Sequence, residues 1–409
     1  MERPTARLLR CCSVYSMSFF VDASFFVLLV PIVAIAAALG INGKTLRPYG
    51  TVVSLAMLAL LFYRAPEGGA ICAGYIALSI VLAKWILRLF RENKPRAVPL
   101  YRLALLLQIA PLVIYKCTVA MGGGILGFLG ISYITFKGAQ VLIEIRDGLI
   151  TELPVSDYLY FLTFFPTFTS GPILRSRTFV EDVHRELSKD EYLDRLYRGL
   201  GWLVVGAVYK FVGGSLAQWA TWFLPSLIGT STPLTFATTQ VVSCVSYGVY
   251  EFFDFAGYSH MAMGVGLCLG VEVMRNFNKP FLSLDLKDFW TRWHISLSTW
   301  VRDFVFMRFV KTSMEHKWFK SRLTTACVGY MINMVLIGLW HGINLDYLVY
   351  GVFYGLCMAG VEVIQKRWKF YKMHRRETWF KVCEWAVNMV VVFMGFALFN
   401  GQLFNPVVV

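Results

Sequence analysis

The stretch FWTRWHISLSTWVRDFVFMR, residues 289–308, combines one histidine, three tryptophans and three arginines in a segment between long apolar runs. Polar groups at membrane depth are costly without partners, so they commonly mark functional sites. A second histidine, His341, ends the next apolar run in the sequence IGLWHGIN, 47 residues after His294. That separation allows one loop and one membrane crossing, so we expect His294 and His341 to meet inside the bilayer.

The composition predicts an all-α, multi-pass integral membrane protein. Of the 409 residues, 57% are hydrophobic and only 16% are charged, whereas soluble proteins carry about 25% charged residues. Several apolar runs approach the roughly 20 residues that cross a bilayer core as a helix. We therefore expect about ten or eleven spanning or partly spanning helices. They should form one membrane domain over residues 17–409, after a basic extension over residues 1–16.

Three stretches interrupt this pattern of long apolar runs. The glycine-rich stretch 122–127 predicts close helix packing or a broken, re-entrant segment, and the Pro- and Gly-containing stretch 158–173 also predicts a broken segment. The charged stretch 177–198 predicts two short helices at the membrane interface. Ser188 and Glu191 have the spacing of a capping box at the start of the second one.

The formal net charge of +14 arises largely from three basic loops, near residues 88–102, 308–322 and 366–381. The positive-inside rule accounts for such loops, and anionic lipid headgroups suit them. A sharper interpretation is an acidic protein partner at the cytoplasmic face. A nucleic-acid ligand is not indicated, because the sequence contains no groove-reading module.

The two histidines in aromatic surroundings suggest proton transfer during acyl transfer. Histidine has an ordinary pKa near 6.5 and can take the proton of an attacking hydroxyl. Indole N–H groups, the second histidine or helix-start amides could then stabilise the oxyanion. The competing interpretation is that His294 and His341 only tie two helices together. His184, His316 and His374 are expected to be solvated, and no metal-ligand spacing is present.

Residues near the two histidines are candidates to line a substrate tunnel. They are Trp290, Trp293, Ser296, Trp340, Asn344 and, in the segment YEFFDFAGYSH, Asp254. Asp254 and Glu251 are costly in an apolar helix unless they are paired. They indicate either a cavity wall or a structural hydrogen-bond cluster.

The run RDFVFMR mixes aromatic side chains with positive charge and suggests a docking surface for an acidic partner helix. Its members are Arg302, Phe304, Val305, Phe306 and Arg308. An ordinary interfacial helix with snorkelling cations is the alternative.

These motifs resemble the membrane-bound O-acyltransferase family. The resemblance is carried by FWTRWHISLSTWVRDF, by the apolar span that ends in LWHG and by YEFFDFAGYSHMAMG, and it covers nearly the whole chain. GISYITFKGAQVLIEIRDG, FFPTFTSGPILRSRTF and RDFVFMRF are more similar to the branch that transfers D-alanine to teichoic acids. His260 departs from the wider family, in which many members carry an acidic residue there.

The resemblance implies a ring of helices around a central funnel, with His341 as the principal catalytic residue and His294 as its partner. It implies no permanently bound cofactor. The donor would be D-alanine held as a thioester on the phosphopantetheine arm of an acidic cytoplasmic carrier protein. Accessory membrane proteins would pass the alanyl group to teichoic acid in the cell envelope.

Three alternatives remain at this point. The first is an O-acetyltransferase of an extracellular polysaccharide. The second is a transporter or flippase of a cell-wall intermediate, which the broken helices suggest but no inverted repeat supports. The third is a scaffold in which the histidines are structural.

Overall fold

The computed structural model describes residues 17–404 and 406–407, and every regular element in those ranges is a helix. The predicted basic extension over residues 1–16 lies outside the described residues. In chain order, the α-helices are α1 Ala23–Ile41, α2 Arg47–Phe62, α3 Pro66–Arg91, α4 Ala97–Ala120, α5 Ile131–Arg146, α6 Val155–Thr163, α7 Ser176–His184, α8 Lys189–Ala207, α9 Ser215–Ile228, α10 Pro233–Cys268, α11 Leu286–Arg292, α12 Ile295–Val301, α13 Met307–Glu315, α14 Arg322–His341, α15 Leu345–Arg367, α16 Lys369–His374 and α17 Thr378–Phe399. Short 3-10 helices cover Phe165–Thr167 and Pro280–Leu282, and π-helical segments cover Val208–Gly214 and Arg302–Phe306.

Seven helical stretches in the described part of the chain are long and apolar enough to cross a membrane, judged by length and composition. They are α1, α3, α4, the continuous stretch Lys189–Ile228, α14, α15 and α17. The all-α membrane class predicted from composition is thus confirmed. The predicted number of helices, ten or eleven, is larger than seven because it also counted helices that only partly span the membrane or are shorter or more polar, such as α2, α5 and α10.

The charged stretch 177–198 differs in part from its prediction. Helix α7 is short and amphipathic, as expected. The capping box is present, because the Ser188 amide donates to Glu191 (2.9 Å) and the Glu191 amide donates to the Ser188 hydroxyl (3.3 Å). The helix that it caps is not a short interfacial one. It continues through the π-helical segment to Ile228, because the apolar sequence after residue 199 favours a membrane span.

The chain forms two compact units, one comprising residues up to Gly206 together with Tyr258–Met274, and the other Ala207–Gly257 together with Arg275–Val409. In the first unit, α5 is buried along most of its length, and its two buried charged side chains have partners. The Lys137 ammonium donates to the Phe161 carbonyl (2.8 Å), and Glu144 bonds to the Ser176 hydroxyl. These contacts satisfy groups that would otherwise be costly to bury.

The second unit is organised by close packing of α14 against α15. A Cβ atom at Gly351 would lie 2.7 Å from the Met334 carbonyl oxygen, and one at Gly355 would lie 2.7 Å from the Met331 sulfur. Small residues four positions apart let two membrane helices approach closely. This approach fixes the end of α14, where His341 lies, against the beginning of α15.

Candidate functional site

His294 lies at a junction between two short helices, in a conformation that the backbone holds. It has φ 44° and ψ 51°, the left-handed region, between the end of α11 and the start of α12. The loop around Asn276 bonds to both sides of this turn. The Asn276 carbonyl accepts from the Ile295 amide (2.9 Å), and its side-chain Oδ1 accepts from the Ser296 amide (3.1 Å). Asn276 therefore caps the new helix in place of the residue at its N-cap.

The His294 imidazole is buried and makes ring contacts rather than hydrogen bonds. Only 4% of the residue is exposed. The Phe255 ring lies edge-to-face on it, with centroids 4.8 Å apart, and the Trp340 ring is 6.2 Å away. Neither ring nitrogen has a hydrogen-bond partner among the described residues. The junction belongs to none of the seven candidate spans, and burial lowers the pKa of His294 well below its ordinary value. Burial therefore favours the neutral form of this imidazole.

His341 is the last residue of α14 and lies in an aromatic cluster. Its ring centroid is 4.5 Å from that of Trp340 and 4.8 Å from that of Phe399. The Tyr347 ring stacks on it at 5.8 Å, and Tyr350 meets it edge-on at 6.1 Å. Trp340 contacts both histidines, so the structure brings His294 and His341 to the same indole ring.

The other predicted lining residues of the motif are buried around α11 and α12. The Trp293 ring packs on Phe277 (5.0 Å) and Phe396 (5.1 Å), and Trp290 packs on Tyr354 (5.3 Å). The indole N–H of Trp290 has no hydrogen-bond partner among the residues described. Ser296 is fully buried. Trp290, Trp293 and Ser296 are thus buried residues of the turn that carries His294 and of the two short helices beside it.

Asn344 and Asp254 are placed differently from this buried group. Asn344 precedes α15 at its N-cap, is exposed and makes no side-chain capping bond. Asp254 lies on α10 and pairs with the Lys210 ammonium, which the π-helical segment Val208–Gly214 presents. Phe255, the residue after Asp254, is the one that contacts His294. Asp254 therefore lies beside the wall of the site and already has a cationic partner.

The predicted docking residues lie on the π-helical segment and the start of α13. Arg302 is exposed and pairs with the neighbouring Asp303 (2.8 Å). Phe304 packs on Trp300 (5.1 Å), and the Arg308 guanidinium lies 5.9 Å from the Phe304 ring.

Two of the apolar docking residues are only partly available to a partner. Phe306 stacks on Tyr330 of α14 with centroids 5.0 Å apart, and Val305 is half-buried. Phe306 is therefore partly committed to packing within this unit.

Sequence reasoning missed several residues that the structure places at the site. Tyr347 and Tyr350 come soon after His341 at a helical spacing of three, and this aromatic pattern was a usable signal. Phe255 was visible in the aromatic-acidic segment, but nothing in its type distinguished it from its neighbours. Asn276 lies far before the motif in sequence and gives no pattern of its own.

A separate cavity of about 520 Å³ lies in the first unit and includes neither His294 nor His341. Its lining includes Arg47 and His184. Both contact the buried Asp157, at 2.9 Å from the Arg47 Nε and 2.9 Å from the His184 Nε2. His184 is exposed, as expected, and its ring also pairs with the buried Asp157, whose carboxylate requires partners.

The site has the parts that acyl transfer requires. A partly exposed imidazole at the end of α14 can take and return a proton, and a neutral buried imidazole lies against the same indole. Tyrosine hydroxyls and an indole N–H are the donors near these rings, and such donors can stabilise an oxyanion. Among the described residues no group of three potential metal-ligating side chains is present.

Comparison with known proteins places this chain among acyltransferases. A family model described as MBOAT, membrane-bound O-acyltransferase family, matches residues 102–400. The teichoic acid D-alanyltransferase of Bacillus subtilis (strain 168) is 36% identical over 391 residues, which cover 93% of this chain and 97% of that protein. The teichoic acid D-alanyltransferase of Lacticaseibacillus rhamnosus is 35% identical, covering 88% of this chain and 92% of its own. A probable alginate O-acetylase of Pseudomonas fluorescens is 30% identical over 67% of this chain and 51% of its own length.

Proposed function

Because the chain belongs to the membrane-bound O-acyltransferase family, a family of membrane acyltransferases, we propose that it transfers D-alanine to teichoic acid. The observation that supports this most strongly is the similarity over nearly the full length of two D-alanyltransferases. The match to the alginate O-acetylase covers about half of that relative and leaves O-acetylation of a polysaccharide as the weaker alternative.

The proposed donor is D-alanine held as a thioester on the phosphopantetheine arm of a cytoplasmic carrier protein. In the transfer, the C–S bond of the thioester breaks and a C–O bond to the acceptor hydroxyl forms. His341 takes the proton from the attacking hydroxyl and returns it to the thiolate that leaves. The developing oxyanion is held by hydrogen-bond donors near the two histidine rings.

His341 is the better candidate for the proton transfer because its surroundings leave it partly exposed. His294 is buried and neutral, and it lies against the same indole ring as His341. We assign His294 an orienting role or an oxyanion-stabilising role. This division places the proton transfer on the ring that a substrate can reach.

The docking site for the carrier is proposed on Arg302, Phe304 and Arg308, with contributions from Val305 and the exposed edge of Phe306. An exposed arginine and an arginine over an aromatic ring suit an acidic helix with an apolar stripe. Accessory membrane proteins would take the alanyl group from the site to teichoic acid at the outer face.

A complementation experiment tests the proposed function. The gene of the Bacillus subtilis relative is replaced by the gene for this chain, and ester-linked D-alanine on teichoic acid is measured. The wild-type chain should restore the esters, and His341→Ala should not, at equal amounts of membrane-inserted protein. Absence of D-alanine esters with a folded wild-type chain, or the appearance of acetyl esters instead, would overturn the proposal.

A further inference from the structure

Glu251 is an acidic group beside the histidine cluster whose charge has no dedicated cation. Its carboxylate accepts one hydrogen bond, from the Tyr247 hydroxyl (2.7 Å). Within the described part of the chain no lysine or arginine forms an ion pair with it. Lys210 is within electrostatic range, but its ammonium bonds to Asp254. The two acidic residues Glu251 and Asp254 thus have a single lysine, Lys210, between them, and one further positive charge would balance this cluster.

Glu251 also lies near two rings that contact the histidines. It precedes Phe255 by four residues on α10, so the two side chains share a helix face about 6 Å apart along the axis. Phe255 contacts His294. The Glu251 carboxylate is within electrostatic range of Tyr347, whose ring stacks on His341. The acid therefore borders both histidine neighbourhoods and is only partly buried.

A carboxyl group without an ion-pair partner at this position fits a ligand that brings its own cation. A D-alanyl thioester carries an α-ammonium group next to the carbonyl that reacts, and an acetyl thioester carries none. On the basis of the proposed function, we propose that Glu251 binds the α-ammonium of the D-alanyl group and thereby selects it over unsubstituted acyl groups. The bond orients the carbonyl, and the ammonium completes the charge balance of Glu251, Asp254 and Lys210.

The test compares two donors that differ only in the amino group. The carrier protein is loaded with D-alanyl- or propionyl-phosphopantetheine, and thioester consumption is followed with purified protein in liposomes together with its membrane partners. Glu251→Gln should lower kcat/KM for the D-alanyl donor by at least about tenfold, the loss of one charge-assisted hydrogen bond. Consumption of the propionyl donor should stay within about twofold of the wild-type value, because that donor has no cation to lose.

Two further variants separate recognition from folding. Glu251→Asp keeps the charge on a shorter side chain and should regain part of the preference for D-alanyl over propionyl. Glu272→Gln removes an exposed carboxylate of the first unit and should leave both donors unaffected. Equal loss of both donors in Glu251→Gln, or an unchanged preference, would overturn the inference. A wild-type protein that consumes neither donor, or only the propionyl donor, would instead overturn the proposed function.

Discussion

The hydrogen bond from Ser296 to Asn276 allows the orientation of His294 to be tested without touching either histidine. In Asn276→Ala the Ser296 amide loses its side-chain acceptor at a fully buried position. A buried donor left without its partner costs about 1–3 kcal/mol. Because this bond holds the turn that carries His294, we expect its loss to raise the activation free energy of the transfer by the same amount. It corresponds to a fall in kcat of about five- to 150-fold, with KM for the carrier unchanged.

A matched control removes an equally buried amide elsewhere in the second unit. The Asn388 side chain donates to the Ser283 carbonyl (3.0 Å) and the Ser283 hydroxyl (3.0 Å). Asn388→Ala should lower the melting temperature about as much as Asn276→Ala does, while kcat stays near the wild-type value. Thioester consumption under saturating carrier and thermal unfolding in detergent measure the two effects. Wild-type kcat in a folded Asn276→Ala protein would refute the positioning role of this bond.

Three further predictions concern packing, backbone conformation and docking. Gly351→Ala should lower the free energy of unfolding by about 1–3 kcal/mol and reduce activity, because its Cβ would lie 2.7 Å from a carbonyl oxygen of α14. The control Gly360→Ala, on the same helix and with no atom within 4 Å of its Cβ, should change neither thermal stability nor turnover. His294→Gly should be about 1 kcal/mol more stable than His294→Ala and should therefore unfold at a higher temperature, because glycine tolerates the left-handed backbone at φ 44°. Equal melting temperatures of the two variants would count against that conformation. Charge reversal at Arg302 and Arg308 should weaken carrier binding, measured by titration at low and high salt, with the difference from wild type shrinking as salt rises; a difference that does not depend on salt would remove the electrostatic docking surface.

The membrane class and most helix positions could be predicted because apolar length is a strong signal. The run from Thr324 to Trp340 became helix Arg322–His341, and the run from Phe25 to Ile41 became Ala23–Ile41. The capping box of Ser188 and Glu191 was also predictable, because its donors and acceptors are local in sequence. The length of a capped helix depends on residues far beyond the cap, and the helix that begins at Lys189 was therefore underestimated in length.

The proximity of the two candidate histidines could be predicted from the sequence, whereas the residues that support them could not. His294 and His341 stand out because histidine is costly in apolar surroundings, and the structure brings both to Trp340. Asn276 is close to His294 only through folding of the loop before α11, so no local pattern reveals it. The pairing of Asp254 with Lys210 depends on a π-helical turn, and sequence spacing does not indicate which way that turn directs a side chain.

The most direct test of the proposed chemistry follows radiolabelled D-alanine on the carrier thioester. The purified protein is reconstituted in liposomes with its membrane partners and teichoic acid, and the wild type is compared with His341→Ala and His341→Gln. The wild type should consume the thioester and deliver the label to teichoic acid as an ester. Both variants should lose at least about a hundredfold in rate, the scale of a general base, while they melt within a few degrees of the wild type. Label transfer by a folded His341→Ala protein at the wild-type rate would contradict the assignment of His341 and the mechanism built on it.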